Sequence, residues 1–172
     1  MIRLICIAAI TALAACAATP PPRTNPLTVE QAQTFKLASV EVDASTADFA
    51  SERAKTKSAS LAADLQRRLE AAFADRLAET GLSMKVEVTQ LNVVSSGASA
   101  IGSDKSRLGG FMRLFDGSSE TPLAEYRIDV STGTQAQSLL AFAITAAVES
   151  SDQFYIDLLQ NFSEVAKKQS TE

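Results

Sequence analysis

The chain has 172 residues, a formal net charge of −4, 46% hydrophobic residues and no histidine. That length suits one compact domain with a real core, and the acidic balance argues against nucleic acid, whose phosphates are met by Lys and Arg. Without histidine there is no Ser-His-Asp or Cys-His catalysis and no ordinary zinc site; carboxylates are left as the strong metal ligands, and no cofactor is expected.

The N-terminus carries one positive charge, Arg3, then an apolar run from Leu4 to Ala12, then Leu13-Ala14-Ala15-Cys16. The run falls short of the roughly 20 residues of a stable membrane span. Leucine followed by two small residues and a cysteine resembles the lipobox of bacterial lipoprotein precursors. The resemblance implies diacylglyceryl transfer to Cys16, cleavage after Ala15 and acylation of the new amine, so the membrane is a partner through a lipid anchor. Each buried CH₂ contributes about 0.8 kcal/mol, and several chains make the anchor firm. Ala17 lacks the aspartate that in enteric bacteria retains lipoproteins at the inner membrane, so the resemblance implies the outer membrane, facing the periplasm.

The expected organisation is a signal peptide over 1–15, an anchor and Pro-rich tether over 16–34, one domain over 35–169 and a tail over 170–172. Removing 1–15 takes Arg3 and Cys6 away, leaving about −5 on side chains and no free thiol, so the fold must be held by its core. Pro20-Pro21-Pro22 favours an extended spacer.

Beyond the tether, Phe35–Val42 reads as a strand with Ala38, Val40 and Val42 inward. Ala44–Ser58 reads as a polar connection in which Arg53, Lys55 and Lys57 are solvated. Leu61, Leu65, Leu69, Phe73 and Leu77 recur every fourth residue and predict a helix over Ser60–Thr80, closed by Gly81 as a left-handed C′ residue. Met84–Val94 is a second strand with Met84, Val86 and Val88 on one face. Leu91 and Val93 then carry the opposite parity, so either a bulge near Gln90 flips the phase or the outer face turns apolar.

Ser95–Ser106 is rich in Gly and Ser and reads as a loop. Leu108–Asp116, with Leu108, Gly110, Met112 and Leu114 inward, and Ala124–Val130, with Ala124, Tyr126, Ile128 and Val130 inward, are the third and fourth strands. Ala136–Glu149 is apolar nearly all round and reads as a buried helix. A last helix carries Tyr155, Leu158, Leu159, Phe162, Val165 and Ala166 at i, i+3, i+4 spacing. The order β-α-β-β-β-α-α predicts an α+β fold: a mostly antiparallel four-stranded sheet with helices on one face.

Pairing the strands by hairpins places Leu91 opposite Phe111, Thr89 opposite Arg113, Arg113 opposite Glu125 and Phe111 opposite Arg127, all on the outer face. Leu91, Val93, Phe111 and Phe115 then form an apolar group where water should be, a candidate docking patch. The competing reading is a bulge at Gly109-Gly110 or Gln90 that returns some of these side chains to the core, and the glycines favour it. Glu87, Glu125 and Asp129 on one face are candidates for carboxylate hydrolysis. Alternation with Lys85, Arg113 and Arg127 is, however, the ordinary pattern of a solvated sheet face, so the expectation is a protein that is not an enzyme.

The stretches Gly81-Leu82-Ser83-Met84-Lys85-Val86-Glu87-Val88, Leu108-Gly109-Gly110-Phe111-Met112-Arg113-Leu114-Phe115-Asp116 and Pro122-Leu123-Ala124-Glu125-Tyr126 resemble small proteobacterial lipoproteins of unknown function. More distantly they are similar to auxiliary lipoproteins of ABC-type envelope transporters. The resemblance covers roughly residues 35–130, supports an envelope location and an α+β fold, and carries over no catalytic residue. The expected function is a non-enzymatic, membrane-anchored lipoprotein that binds or scaffolds another envelope protein. Alternatives are an auxiliary subunit of a lipid or polymer exporter and, from another class, a cell-wall hydrolase.

Overall fold

A computed structural model describes residues 26–94, 105–132 and 151–172. Cys6, Cys16 and the Pro-rich stretch, the loop over 95–104 and the helix expected over Ala136–Glu149 lie outside the described residues. The described elements run α1 (Val29–Thr34), β1 (Leu37–Asp43), β2 (Asp48–Phe49), α2 (Glu52–Lys57), α3 (Leu61–Ala72), β3 (Leu82–Asn92), β4 (Ser106–Phe115), β5 (Ala124–Thr132) and α4 (Ser151–Thr171).

The class is α+β, with helices packed on the sheet. The sheet has five strands rather than four and is mixed: β3–β4 and β4–β5 are antiparallel, while β1 and β2 both pair parallel with β3. Parallel pairing of β1 with β3 follows from the crossover through α2 and α3, because two parallel neighbours need a long connection. β2 continues the same edge of β3 after a break at residues 44–47, pairing Asp48 with Gln90 and Phe49 with Leu91. The connection expected over Ala44–Ser58 therefore holds β2 and α2 as well; Ala54 of α2 is buried, and Ser51 caps the helix and accepts from the Val93 amide.

The folded part starts earlier than residue 35. Leu27, Ala32 and Phe35 are buried in the core. Thr28 and Gln31 form a reciprocal capping box for α1, with Thr28 Oγ1 accepting from the Gln31 amide at 3.2 Å and Gln31 Oε1 from the Thr28 amide at 2.9 Å. Arg76 then fixes α1 to the domain. One of its guanidinium nitrogens donates to the Ala32 carbonyl at 3.0 Å, and its charge lies 4.5 Å from the centre of the Phe35 ring. At the other terminus α4 runs to Thr171 and Ser170 is buried, so residues 170 and 171 belong to the fold.

Leu61, Leu65, Leu69 and Phe73 are fully buried, as the every-fourth spacing predicts. The helix stops at Ala72, however, with Phe73 as its C-cap, and Leu77 is 42% exposed beside β1. Gly81 is thus nine residues past the last helical residue and is no C′ residue. It opens β3 at φ +154°, where a β-carbon would come within 2.4 Å of the Lys36 carbonyl oxygen. In β1 a register irregularity between Leu37 and Ser39 turns Leu37 into the core and leaves Ala38 exposed, against the simple alternation.

A bulge in β3 shapes the sheet most. Val88 pairs with Gly110 and Gln90 with Gly109, so Thr89 is the extra residue and the inward parity shifts there. Met84, Val86 and Val88 are buried before it; Leu91 and Val93 are buried after it. The β3–β4 register accordingly sets Glu87 opposite Phe111 and Lys85 opposite Arg113, not Leu91 opposite Phe111 or Thr89 opposite Arg113. In β4–β5, Arg113 does face Glu125 and Phe111 does face Arg127. Leu108, Met112, Leu114, Ala124, Tyr126 and Ile128 line the inner face beneath α3 and α4, while Val130 is half-buried.

Candidate functional site

The face of the sheet turned away from the described helices carries the outward residues of β1, β3, β4 and β5. Opposite charges meet across it. Arg113 holds Glu87 at 2.8 Å and Glu125 at 2.5 Å, Arg127 holds Asp129 at 2.8 Å, and Lys85 reaches Glu41 at 3.9 Å. The two carboxylates beside Arg113 push its pKa up, although partial burial acts the other way.

Two rings interrupt these charges. Phe111 lies 5.4 Å from the Arg113 guanidinium and Phe115 lies 5.5 Å from the Lys85 ammonium, each half-buried. Lys85 and Phe115, with Glu41, Ser83 and the turn over 117–120, line an open cleft of about 460 Å³ at the end of the face.

Of the four residues expected to form the apolar patch, Phe111 and Phe115 lie on this face. Leu91 and Val93 do not: the Thr89 bulge turns them under the helices, where they are 0% and 2% exposed. The candidate surface is therefore two aromatic rings embedded in ion pairs. The cation over Phe111 is Arg113 from its own strand; Arg127, opposite it, is engaged by Asp129. Lys85 is not among the residues the sequence marks out, although its outward parity next to the strand carrying Phe115 places it on this face.

The three carboxylates considered for hydrolysis share the face. Glu87 and Glu125 flank the same guanidinium, and Asp129 is tied to Arg127, so each is held by a cation.

A second recess, about 380 Å³, lies between α3 and α4, lined by Asp64, Arg67, Arg68, Ala71, Tyr155, Ile156 and Leu159. At its upper end the Tyr155 hydroxyl donates to Asp64 at 2.9 Å, and Lys57 sits 5.1 Å from the Tyr155 ring while pairing with Asp152 at 2.8 Å. These contacts join α2, α3 and α4 and read as packing.

No family model and no curated protein matches the chain. Among solved structures it is similar to a candidate lipoprotein from Caulobacter crescentus CB15, at 14% identity over 77% of this chain and 87% of that one, TM-score 0.45. It is also similar to a minor lipoprotein from Acinetobacter baumannii, at 11% identity over 81% and 92%, TM-score 0.45. A protein from Xanthomonas campestris in a family of unknown function gives 11% identity over 79% and 84%, again with TM-score 0.45. Small proteobacterial lipoproteins of unknown function are thus among the proteins this chain is similar to. At these identities and TM-scores none of them assigns an activity.

Proposed function

We propose that the chain is a non-enzymatic lipoprotein of the cell envelope, anchored through Cys16 to the outer membrane on its periplasmic side. Its domain binds or scaffolds another envelope protein. The observation that carries this reading is Leu13-Ala14-Ala15-Cys16 directly after a short apolar run, a few residues ahead of Leu27, which is buried in the core. Leu27 stands eleven positions after Cys16, with ten residues between them. At the maximum extension of about 3.6 Å per residue, they hold the domain within roughly 40 Å of the bilayer.

Phe111 and Phe115 are the partner-facing candidates, and the supporting feature is their exposure on a sheet face that no described helix covers. The ion-paired state of Glu87, Glu125 and Asp129 weighs against the cell-wall hydrolase. The exporter-subunit alternative rests on the sequence resemblance alone. Intact mass of the protein extracted in detergent tests the reading: it should start at Cys16 and carry diacylglyceryl and acyl additions. An unmodified chain beginning at another residue would overturn it.

A further inference from the structure

The two edges of the sheet are built differently. The β1–β2 edge is broken by an irregularity after Leu37 and by the interruption at 44–47. β5, the opposite edge, pairs with β4 over nine consecutive residues without a register shift, contains no proline or glycine, and pairs with no other strand among the described residues. A long regular edge strand is a template for another strand, and proteins ordinarily blunt it with bulges, prolines, charged side chains or inward-pointing charges. Here the inward positions are Ala124, Tyr126, Ile128 and Val130; the charges all point outward.

That outward row is ordered for self-pairing. An antiparallel copy of β5, registered about Ile128, brings Arg127 opposite Asp129 twice, related by the two-fold axis, and Glu125 opposite the neutral Ser131. Inward, Ile128 meets Ile128 and Tyr126 meets Val130. Opposite charges directly across a ladder stabilise and like charges destabilise, so this register is favoured over one centred on Arg127, which would oppose Arg127 to itself and Glu125 to Asp129. Arg127 and Asp129 already touch at 2.8 Å and are 72% and 48% exposed, so pairing extends an existing ion pair into a ring of four charges without uncovering anything buried. We propose that β5 is a homodimerisation edge, joining two copies of this chain antiparallel about Ile128 into one continuous sheet. The proposal is independent of the lipid anchor: it rests on the β5 register and charges alone.

The test is sedimentation equilibrium of the full chain as isolated from cells, in density-matched detergent, with Arg127→Asp, Asp129→Arg and the double swap Arg127→Asp/Asp129→Arg. All are exposed positions, so folding is spared. The expected result is a dimer for the wild type, at least about tenfold weaker association for each single variant through like-charge opposition, and recovery in the double swap. A monomeric wild type overturns the proposal, as does a dimer indifferent to all three variants. Failure of the double swap to recover overturns the Ile128 register.

Discussion

A β-carbon on Gly110 would come within 2.5 Å of the Glu87 carbonyl oxygen. This close approach sits beside the bulge at Thr89, and it is what lets β3 shift phase and send Leu91 and Val93 inward. Gly110→Ala must therefore move backbone, and it should cost about 1–3 kcal/mol in denaturant unfolding. Gly117, at φ +56° with nothing near its missing β-carbon, offers the contrast. Gly117→Ala should cost only about 1 kcal/mol, from backbone conformation. Equal losses for the two would mean that Gly110 is not in close contact.

Leu91 and Phe111 separate core from surface on the same pair of strands. Leu91→Ala removes a fully buried side chain and should destabilise by about 2–5 kcal/mol. Phe111→Ala, half-exposed, should cost less while abolishing partner capture if the outer face docks. Thermal unfolding of both variants beside a co-purification assay checks this. Full capture by folded Phe111→Ala/Phe115→Ala would remove the outer face from consideration.

Arg113 bridges Glu87 and Glu125 on a partly solvated face, with side-chain exposures of 30%, 41% and 47%. Arg113→Leu leaves two carboxylates without their shared cation. Because water and salt screen such pairs, the loss should be about 1 kcal/mol and should shrink at high ionic strength. A loss unchanged by salt would place its origin in packing against Phe111 instead.

How far the sequence could be read depended on whether alternation survived. β5 keeps strict alternation from Ala124 to Asp129, so its facing and its pairing with β4 were legible, down to Arg113 opposite Glu125. β3 breaks parity at Thr89, and from sequence a bulge and an apolar outer face look alike; only the pairing of Val88 with Gly110 and Gln90 with Gly109 separates them. Leu61 to Phe73 announced a helix face, but the period continued to Leu77 past the true end, because Leu77 keeps the spacing while lying beside β1. Leu27 and Ala32 escaped because α1 is too short to show a period, although Thr28 and Gln31 carried the capping-box signature. The surface rings Phe111 and Phe115 were legible from parity, whereas the cations lying over them depend on side-chain reach.

Asp64 links α3 to α4 and gives the fold an acid sensitivity. Burial acts to raise its pKa, but hydrogen bonds from Ser60, Tyr155 and Arg67, with the charge of Arg67, outweigh it and hold the pKa below the ordinary value. A folded-state pKa below the unfolded one means stability is fully present above the unfolded value, about 3.9, and is lost as pH falls through the folded value. Asp64→Asn should therefore be less stable than wild type at pH 7, with the gap closing below about pH 4. Tyr155→Phe, which removes the 2.9 Å donor, should cost about 1 kcal/mol at neutral pH and reduce the same acid dependence. Urea unfolding from pH 3 to 7 measures both; a gap constant with pH would show that Asp64 does not change its charge there.

The lipid anchor is tested most directly in cells. Growth with a clickable palmitate analogue, comparing wild type with Cys16→Ala and separating the two membranes, should label the wild-type chain alone and find it in the outer-membrane fraction. Wild-type protein that stays unlabelled and soluble in the periplasm would contradict the reading of Leu13-Ala14-Ala15-Cys16 as a lipidation site.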